Sequence, residues 1–575
     1  MIKKFLYFFN KRQKKYLLLL FGFMLIVTIL EMAGLGFIFS IVGTLSPTNT
    51  KSNLFIDKLS IFFELDKTEI LTYLLVAFLL FYLIKIVFLT FYNWFESNFL
   101  YTYKENLSSK VFQEYLNQDF SYFYNRNSSE FIRNLITEVD LFILYLVSVL
   151  KVALEIIVVI GILFFLSYIN FYFTILITIV FLFFSTLYIL LFKEKLNKWG
   201  IQRQSNIQKM IQFMQEGFDG IKVIKLLGRE KFFFNKFKVH NINLSRIGAK
   251  TTFFGNVPKL LFELVGVFFV IFLLYVLYLS GRSVIEIAQI LGIYVAASFR
   301  ILPSINKIVT SLQNIKLNFP AINVLYLELK NFKKEDLSSY KKFSFNNNIF
   351  VDIKKFKYSN SNSFEISDVK LNILKGEKIG IIGATGSGKS TVVEILTGIS
   401  KPTEGSITVD GKPIFSNVKG WQKLIGFVPQ KIFILDESLK NNILFGLDSK
   451  KYTEDQILLL IKKLSLEILL KRLPNGLDGN LGEDGVNLSG GEIQRIGLCR
   501  ALVHDPEILF LDEATSSIDA NTESQILNEL KIFKEKTIIS IAHRINTLKN
   551  CDKIYCFDNG KVVDQGNFDK FKIQN

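Results

Sequence analysis

Cysteine is scarce in this chain: Cys499, Cys551 and Cys556 are the only three among 575 residues, and all fall in the C-terminal part. That excludes an extracytoplasmic disulfide framework and fits a C-terminal domain kept in a reducing compartment. Histidine is equally rare, and only His543 has a motif around it; His240 and His504 read as surface residues. Acidic residues are outnumbered, 51 against 68 Lys and Arg, for a net charge of +17. The distribution of that excess argues against a nucleic-acid partner. Lys3, Lys4, Lys11, Arg12, Lys14 and Lys15 precede the first apolar run, and a second basic cluster fills residues 193–250. Segments expected to face outward are nearly neutral, the pattern of a membrane protein with its basic loops inside. The first apolar run lacks a small-residue cleavage site and is too long for a signal peptide.

What the chain has in abundance is apolar sequence, half of all residues, including 58 Phe. Six stretches approach or exceed the ~20 residues that span a bilayer: residues 16–45, 70–95, 141–167, 170–193, 257–280 and 284–312. An even count with a basic N-terminus inside puts both termini in the cytoplasm. Residues 46–69 then form an outer loop, in which Leu54, Ile56, Leu59, Ile61 and Phe62 suit a short helix on the membrane surface. The other outer turns fall near Ser167–Asn170 and Ser280–Arg282. The inner segments 96–140 and 194–256 are long, charged and helically periodic, so the spans should continue into the cytosol. The expected organisation is a membrane domain at 1–325, a Lys- and Asn-rich linker at 326–349 and a soluble α/β domain at 350–575.

Ionisable side chains inside spans are costly and functional by default. In the sixth span Arg300, Ser304, Lys307, Ser311 and Asn314 recur at helical spacing, which places them on one face. Ile301, Leu302, Ile305, Ile308 and Leu312 cover the others. Lys85 and Arg300 each lie about fifteen residues from the outer end of their spans, roughly 22 Å deep at 1.5 Å per residue. Two cations at one depth, with Lys307 below, suggest a cavity for an anionic ligand. Glu31 and Glu155 offer the alternative, internal neutralisation. Lys259 and Glu263 form an i,i+4 couple that reads as a structural pair.

The soluble part carries Gly383-Ala384-Thr385-Gly386-Ser387-Gly388-Lys389-Ser390, a P-loop fed by the apolar strand Ile379–Ile382. Its backbone N–H groups cradle phosphates, Lys389 reaches the β/γ-phosphates, and Ser390 coordinates Mg²⁺ with Thr391 beside it. Leu488-Ser489-Gly490-Gly491-Glu492 opens a helix with a second glycine-rich anion site. Two half-sites for one triphosphate in one domain point to ATP sandwiched between two copies. Asp512 ends the apolar strand Ile508–Leu511 and is placed to hold Mg²⁺; Glu513 follows as the base or polariser of the attacking water.

These motifs, in this order, resemble the ATP-binding-cassette (ABC) ATPases. The resemblance implies further roles: Tyr358 stacking on adenine, Gln430 in Phe427-Val428-Pro429-Gln430 touching Mg²⁺ or water, Asp519 in Ser517-Ile518-Asp519 crossing a dimer interface, and His543 contacting the γ-phosphate. Glu492 stands where the family more often has Gln. Phe123–Glu130 and Glu216–Glu230 resemble the intracellular loops of ABC exporters, whose short coupling helices rest on the cassettes. With one membrane domain and one cassette, the chain looks like half a transporter working as a homodimer in a bacterial inner membrane. The expected fold is therefore a six-span membrane α-helical bundle followed by an α/β P-loop ABC ATPase domain, using ATP and Mg²⁺.

A closer resemblance is to the bacterial lipid-linked oligosaccharide flippases of protein N-glycosylation, carried by Phe299-Arg300-Ile301-Leu302-Pro303-Ser304-Ile305-Asn306-Lys307-Ile308, Phe81–Lys85 and Ile29-Leu30-Glu31. It implies a polyprenyl-pyrophosphate-linked glycan as substrate and cavity cations on its pyrophosphate. Two of the three matching cations are Lys here, point charges and not bidentate forks. A lipid or multidrug exporter of other specificity is the alternative; a peptide exporter is disfavoured because no N-terminal peptidase domain is present. A gated channel that merely binds ATP is opposed by Glu513 and His543. A nucleic-acid-processing ATPase is opposed by the six spans.

Overall fold

The computed structural model describes residues 2–44, 67–124, 126–281, 284–332, 343–358, 365–513, 520–542 and 544–572. The surface helix expected around Leu54–Phe62 lies outside the described residues. Two compact units form: Met1–Gln118 with Arg126–Lys333, and Asp119–Asn125 with Lys334–Asn575.

The first unit is entirely helical. A backbone in hydrocarbon must satisfy its own N–H and C=O groups, and long apolar runs do so as helices. After α1 (Ile2–Tyr7) come α2 (Lys11–Thr44), α3 (Lys67–Leu116), α4 (Ser128–Arg133), α5 (Val139–Ile169), α6 (Phe171–Asp219), α7 (Ile221–Leu227), α8 (Glu230–Leu279) and α9 (Val284–Asn331). Six of these helices are long and apolar enough to cross a membrane. The 50 residues of α3 or α8 would reach about 75 Å at 1.5 Å per residue, far beyond a hydrocarbon core, so these helices project well past the bilayer. The last helix runs to Asn331, into the stretch read from sequence as linker.

Phe181, Phe262, Leu273, Tyr294, Ile301 and Val309 belong to the buried core that joins α5, α6, α8 and α9. Close crossings need glycine. A Cβ on Gly200 of α6 would stand 2.3 Å from the Leu317 carbonyl of α9, and one on Gly161 of α5 would meet Thr28 of α2 at 2.8 Å. Asn170 makes the tight turn between α5 and α6 and caps α6, its side chain accepting from the Phe173 N–H at 3.3 Å. Between α4 and α5, Asn134–Glu138 is π-helical. The seven-residue α7 is bracketed by Gly220 and by Gly228, whose left-handed φ of 61° closes it. The resemblance implied a short helix in this loop, and α7 is one, with Leu226 and Val223 exposed.

The second unit has two sheets. β1 (Asn348–Phe356), β2 (Ile366–Leu374), β4 (Glu404–Val409) and β5 (Lys412–Pro413) form an antiparallel sheet in the order β2-β1-β4-β5. β3 (Lys378–Gly383), β6 (Ile425–Val428), β7 (Ile508–Asp512), β8 (Thr537–Ile541), β9 (Lys553–Asp558) and β10 (Lys561–Gly566) order as β10-β9-β3-β8-β7-β6. β3, β6, β7, β8 and β9 run parallel, with β10 antiparallel at the edge. The central strands are rich in apolar residues pointing to both faces because both faces are covered, and Ile379, Ile381, Phe510 and Ile539 are all buried in one core. Parallel strands deliver their carboxyl ends to one edge, where open α/β sheets bind ligands. Gly383, Val428 and Asp512 are those ends.

Candidate functional site: a phosphate-binding loop and a charged membrane chamber

At the carboxyl edge, β3 turns directly into α10 (Lys389–Leu396) through the P-loop. Gly383 adopts φ 149°, and a Cβ there would sit 2.1 Å from the Phe557 carbonyl, so only glycine fits this turn. Lys389 is buried and donates to the Gly383 and Ala384 carbonyls, both at 2.9 Å. Burial in the loop pushes its pKa down, opposed by the charges of Glu513 and Asp512. A cavity of about 390 Å³ is lined by Thr385, Gly386, Gly388, Lys389, Ser390, Thr391, Gln430 and Glu513. Thus the structure gathers the loop, Gln430 and Glu513 around one space.

Glu513 follows β7 in the left-handed region at φ 48°. A non-glycine residue there is strained, and strain of this kind is stored at functional sites. The Gln430 side-chain amide donates to Glu513 Oε2 at 2.6 Å. The resemblance had given Gln430 to Mg²⁺ or water; here it is engaged with the carboxylate that would activate that water. Asp512 lies beside it, with Ser390 Oγ 3.5 Å away. Burial, and then the Glu513 charge, push Asp512 up to about 6.

The residues fit a nucleotide. Ser387 Oγ is buried without a hydrogen-bond partner, facing the loop's glycines, and Lys389 supplies the cation. Among the described residues no cluster of three His, Cys, Asp or Glu could hold a metal by itself. Mg²⁺ takes one or two protein oxygens and completes its shell with phosphate and water. Ser390 and Asp512 are the donors that would hold it.

Tyr358 leaves β1 with its hydroxyl 3.0 Å from both Thr391 Oγ1 and a Glu394 carboxylate oxygen. Its ring stacks on Tyr124 at 4.6 Å and 24°. Glu394 belongs to no motif and was not singled out from sequence; Tyr124 lies in the Phe123–Glu130 loop, but nothing in that loop pointed to Tyr358. Asp519 and His543 lie outside the described residues. His240 and His504 are not free surface residues: His240 pairs with Asn206 at 2.9 Å and His504 with the Ile425 carbonyl at 3.0 Å.

Ser489, Gly490 and Gly491 do not line the P-loop cavity. They open α11 (Gly490–Leu502), which Ser489 caps in a reciprocal box with Glu492. Glu492 accepts from the Ser489 N–H at 2.8 Å and from its hydroxyl at 2.9 Å, with Arg472 3.1 Å away. Partial burial opposes the charge, but these donors hold the Glu492 carboxyl below the usual carboxylate range. Glu492 keeps the capping box that a Gln could also make and adds a charge that faces Arg472.

The first unit holds a second site. Lys85, Glu31, Glu155, Arg300 and Lys307 line a chamber of about 600 Å³ among α2, α3, α5 and α9. Glu31 takes Lys85 at 3.0 Å and Arg300 at 3.2 Å, so the two cations read as sharing a depth do converge. Glu155, almost fully buried, takes Lys307 at 2.8 Å, Arg300 at 3.7 Å and the Ser304 hydroxyl at 2.6 Å. The internal pairing weighed from sequence is thus present. Three cations still face two carboxylates, and Lys307 keeps half its side chain exposed.

Comparison with known proteins agrees with this architecture. Residues 366–516 match the ABC transporter model, and 16–302 match the ABC transporter transmembrane region. The chain belongs to the ABC transporters, as an exporter-type half-transporter. A protein of Alkalilimnicola ehrlichii named ATP-dependent lipid A-core flippase is 29% identical over 378 residues, 65% of this chain and 64% of that protein. The probable multidrug resistance ABC transporter ATP-binding/permease protein YheI of Bacillus subtilis is 29% identical over 398 residues, 67% of this chain and 66% of that protein. The match thus spans just under two thirds of these relatives. The structure of a bacterial Atm1-family ABC exporter with ATP bound superimposes with a TM-score of 0.81, covering 98% of this chain and 97% of that one at 18% identity. That likeness confirms the six-helix membrane bundle followed by an α/β nucleotide-binding domain. These relatives are named for lipid A-core and for multidrug resistance, not for an oligosaccharide carried on a polyprenyl.

Proposed function

We propose that this half-transporter pairs with a second copy in the bacterial inner membrane, both termini cytoplasmic, and uses ATP to carry an amphipathic anion to the outer leaflet. The observation that carries the ATPase reading is the convergence of Lys389, Ser390, Gln430 and Glu513 on one cavity at the ends of β3, β6 and β7. Phosphoryl transfer to water needs positioning and charge neutralisation. Lys389 and the loop amides orient the phosphates, Mg²⁺ when bound neutralises charge, and Glu513, held by Gln430, polarises the attacking water. Ser489–Gly491, which do not line that cavity, are left to close the γ-phosphate site of the partner chain. Tyr358 would stack on adenine, with Asp519 and His543 completing the interface and the γ-phosphate contact.

The chamber supports the substrate class. Its cations exceed its carboxylates, so an entering phosphate can take Lys85, Arg300 and Lys307 in exchange for Glu31 and Glu155. A polyprenyl-pyrophosphate-linked oligosaccharide suits such a site, as the motif resemblance implies. The alternative, another lipid or a multidrug substrate, is favoured by the names of the relatives. ATP turnover measured with each lipid tests the choice: saturable stimulation by the polyprenyl-pyrophosphate glycan, lost in Arg300→Ala/Lys307→Ala, supports the first, whereas stimulation by lipid A-core alone supports the second.

A further inference from the structure

The charged chamber has an apolar neighbour. Between α8 and α9 lies a groove of about 690 Å³, walled by Phe262, Val267, Val270, Ile271, Val295 and Leu302. Glycine opens it: Gly266 lies in its wall, where a Cβ would already press on Leu302 at 3.3 Å. Lys259, Glu263 and Asn306 stand in the same lining, and no ion pair joins Lys259 to Glu263 among the described residues, contrary to the pairing read from sequence. The Oδ1 of Asn306 is buried without a hydrogen-bond partner. Because α8 and α9 run in opposite directions, these three polar residues share one end and Ile271 and Val295 share the other.

Groove and chamber occupy adjacent stripes of α9. Ser298, Leu302 and Asn306 face the groove, Ala296, Arg300 and Lys307 the chamber, and Phe299, 79% exposed, lines both. An anion-exchanging chamber beside an elongated apolar groove, parted by one aromatic side chain, is the shape of an amphipathic molecule. We infer that the groove seats the long apolar chain of the same substrate whose anionic head enters the chamber, with Phe299 at the junction. This rests on the anion reading of the chamber. Bilayer lipid would fill the groove otherwise. Transfer of a chain from bilayer to groove brings no hydrophobic gain, since lipid tails are as apolar as the groove wall. Selectivity must come from packing contacts, which support a chain-length preference of roughly tenfold.

The test uses the full-length protein in lipid nanodiscs, titrated with a long-chain polyprenyl phosphate and with geranyl phosphate while ATP turnover is followed. The expected result is half-maximal stimulation at roughly tenfold lower concentration for the long chain. Val267→Trp, at an exposed position that tolerates bulk, should abolish that preference and leave the geranyl phosphate response unchanged. Labelling by a polyprenyl phosphate bearing a photoreactive group far along the chain gives an independent readout in unmutated protein, with α8 and α9 the expected sites. A preference that survives Val267→Trp, with label spread evenly over the lipid-facing helices, would overturn the groove and leave the chamber reading standing. If neither phosphate stimulates or binds, the anion reading falls and the groove inference with it.

Discussion

Glu513 joins two unfavourable circumstances, a left-handed backbone and burial beside Asp512, and is held there by the Gln430 amide. Strain of this kind is stored at functional sites, and the proposed role for this carboxylate is to polarise the attacking water. Glu513→Gln should therefore lower ATP turnover by roughly 10²–10⁴-fold while nucleotide binding survives, as read by turnover and by nucleotide-analogue fluorescence. Gly383→Ala should behave differently. Its methyl group cannot coexist with the Phe557 carbonyl, so the loop must shift, at a cost of roughly 1–3 kcal/mol, and nucleotide binding itself should be lost. Glu492 carries a pH signature. Its carboxyl pKa is lowered in the fold, so its contribution is complete above the unfolded value and disappears as pH falls through the lowered one. Glu492→Gln should preserve turnover and flatten the decline of thermal stability as pH falls through and below the ordinary carboxylate range, measured on the full chain.

Among the elements, α9 shows what a sequence does and does not disclose. The spacing of Arg300, Ser304 and Lys307 announced one polar face, and that face does meet Glu155. The common depth of Lys85 and Arg300 was also legible, because rise per residue converts position into depth. The groove beside it was not, since it arises from how closely Gly266 lets α8 approach Leu302, a matter of packing between helices and not of pattern within one. In the cassette, the buried parallel strands were readable as apolar runs ending in motif residues. The Tyr358–Tyr124 stack was hidden, because it brings together residues from distant parts of the chain. The α9 network makes its own prediction. Arg300→Ala/Lys307→Ala leaves Glu155 buried and uncompensated, which should cost roughly 3–5 kcal/mol. Adding Glu155→Gln should recover most of the loss in thermal unfolding; no recovery would mean that the cations act through contacts other than this carboxylate.

At the scale of the whole molecule, one chain presents a P-loop cavity and, elsewhere on the same domain, a capped Ser-Gly-Gly helix that does not reach it. Two copies placed head to tail would complete two sites. Co-expressing a Lys389→Ala chain with a Ser489→Arg chain should then restore turnover that neither variant shows alone, because one composite site in the mixed dimer escapes both lesions. The decisive measurement is ATP-dependent translocation of a polyprenyl-pyrophosphate-linked oligosaccharide in proteoliposomes, run beside Glu513→Gln and Arg300→Ala/Lys307→Ala. The account predicts movement by the unmutated protein, none by Glu513→Gln, and ATP turnover without movement by the cation variant. Turnover by the unmutated protein with no movement of that lipid, while another lipid is carried, would contradict the assigned substrate.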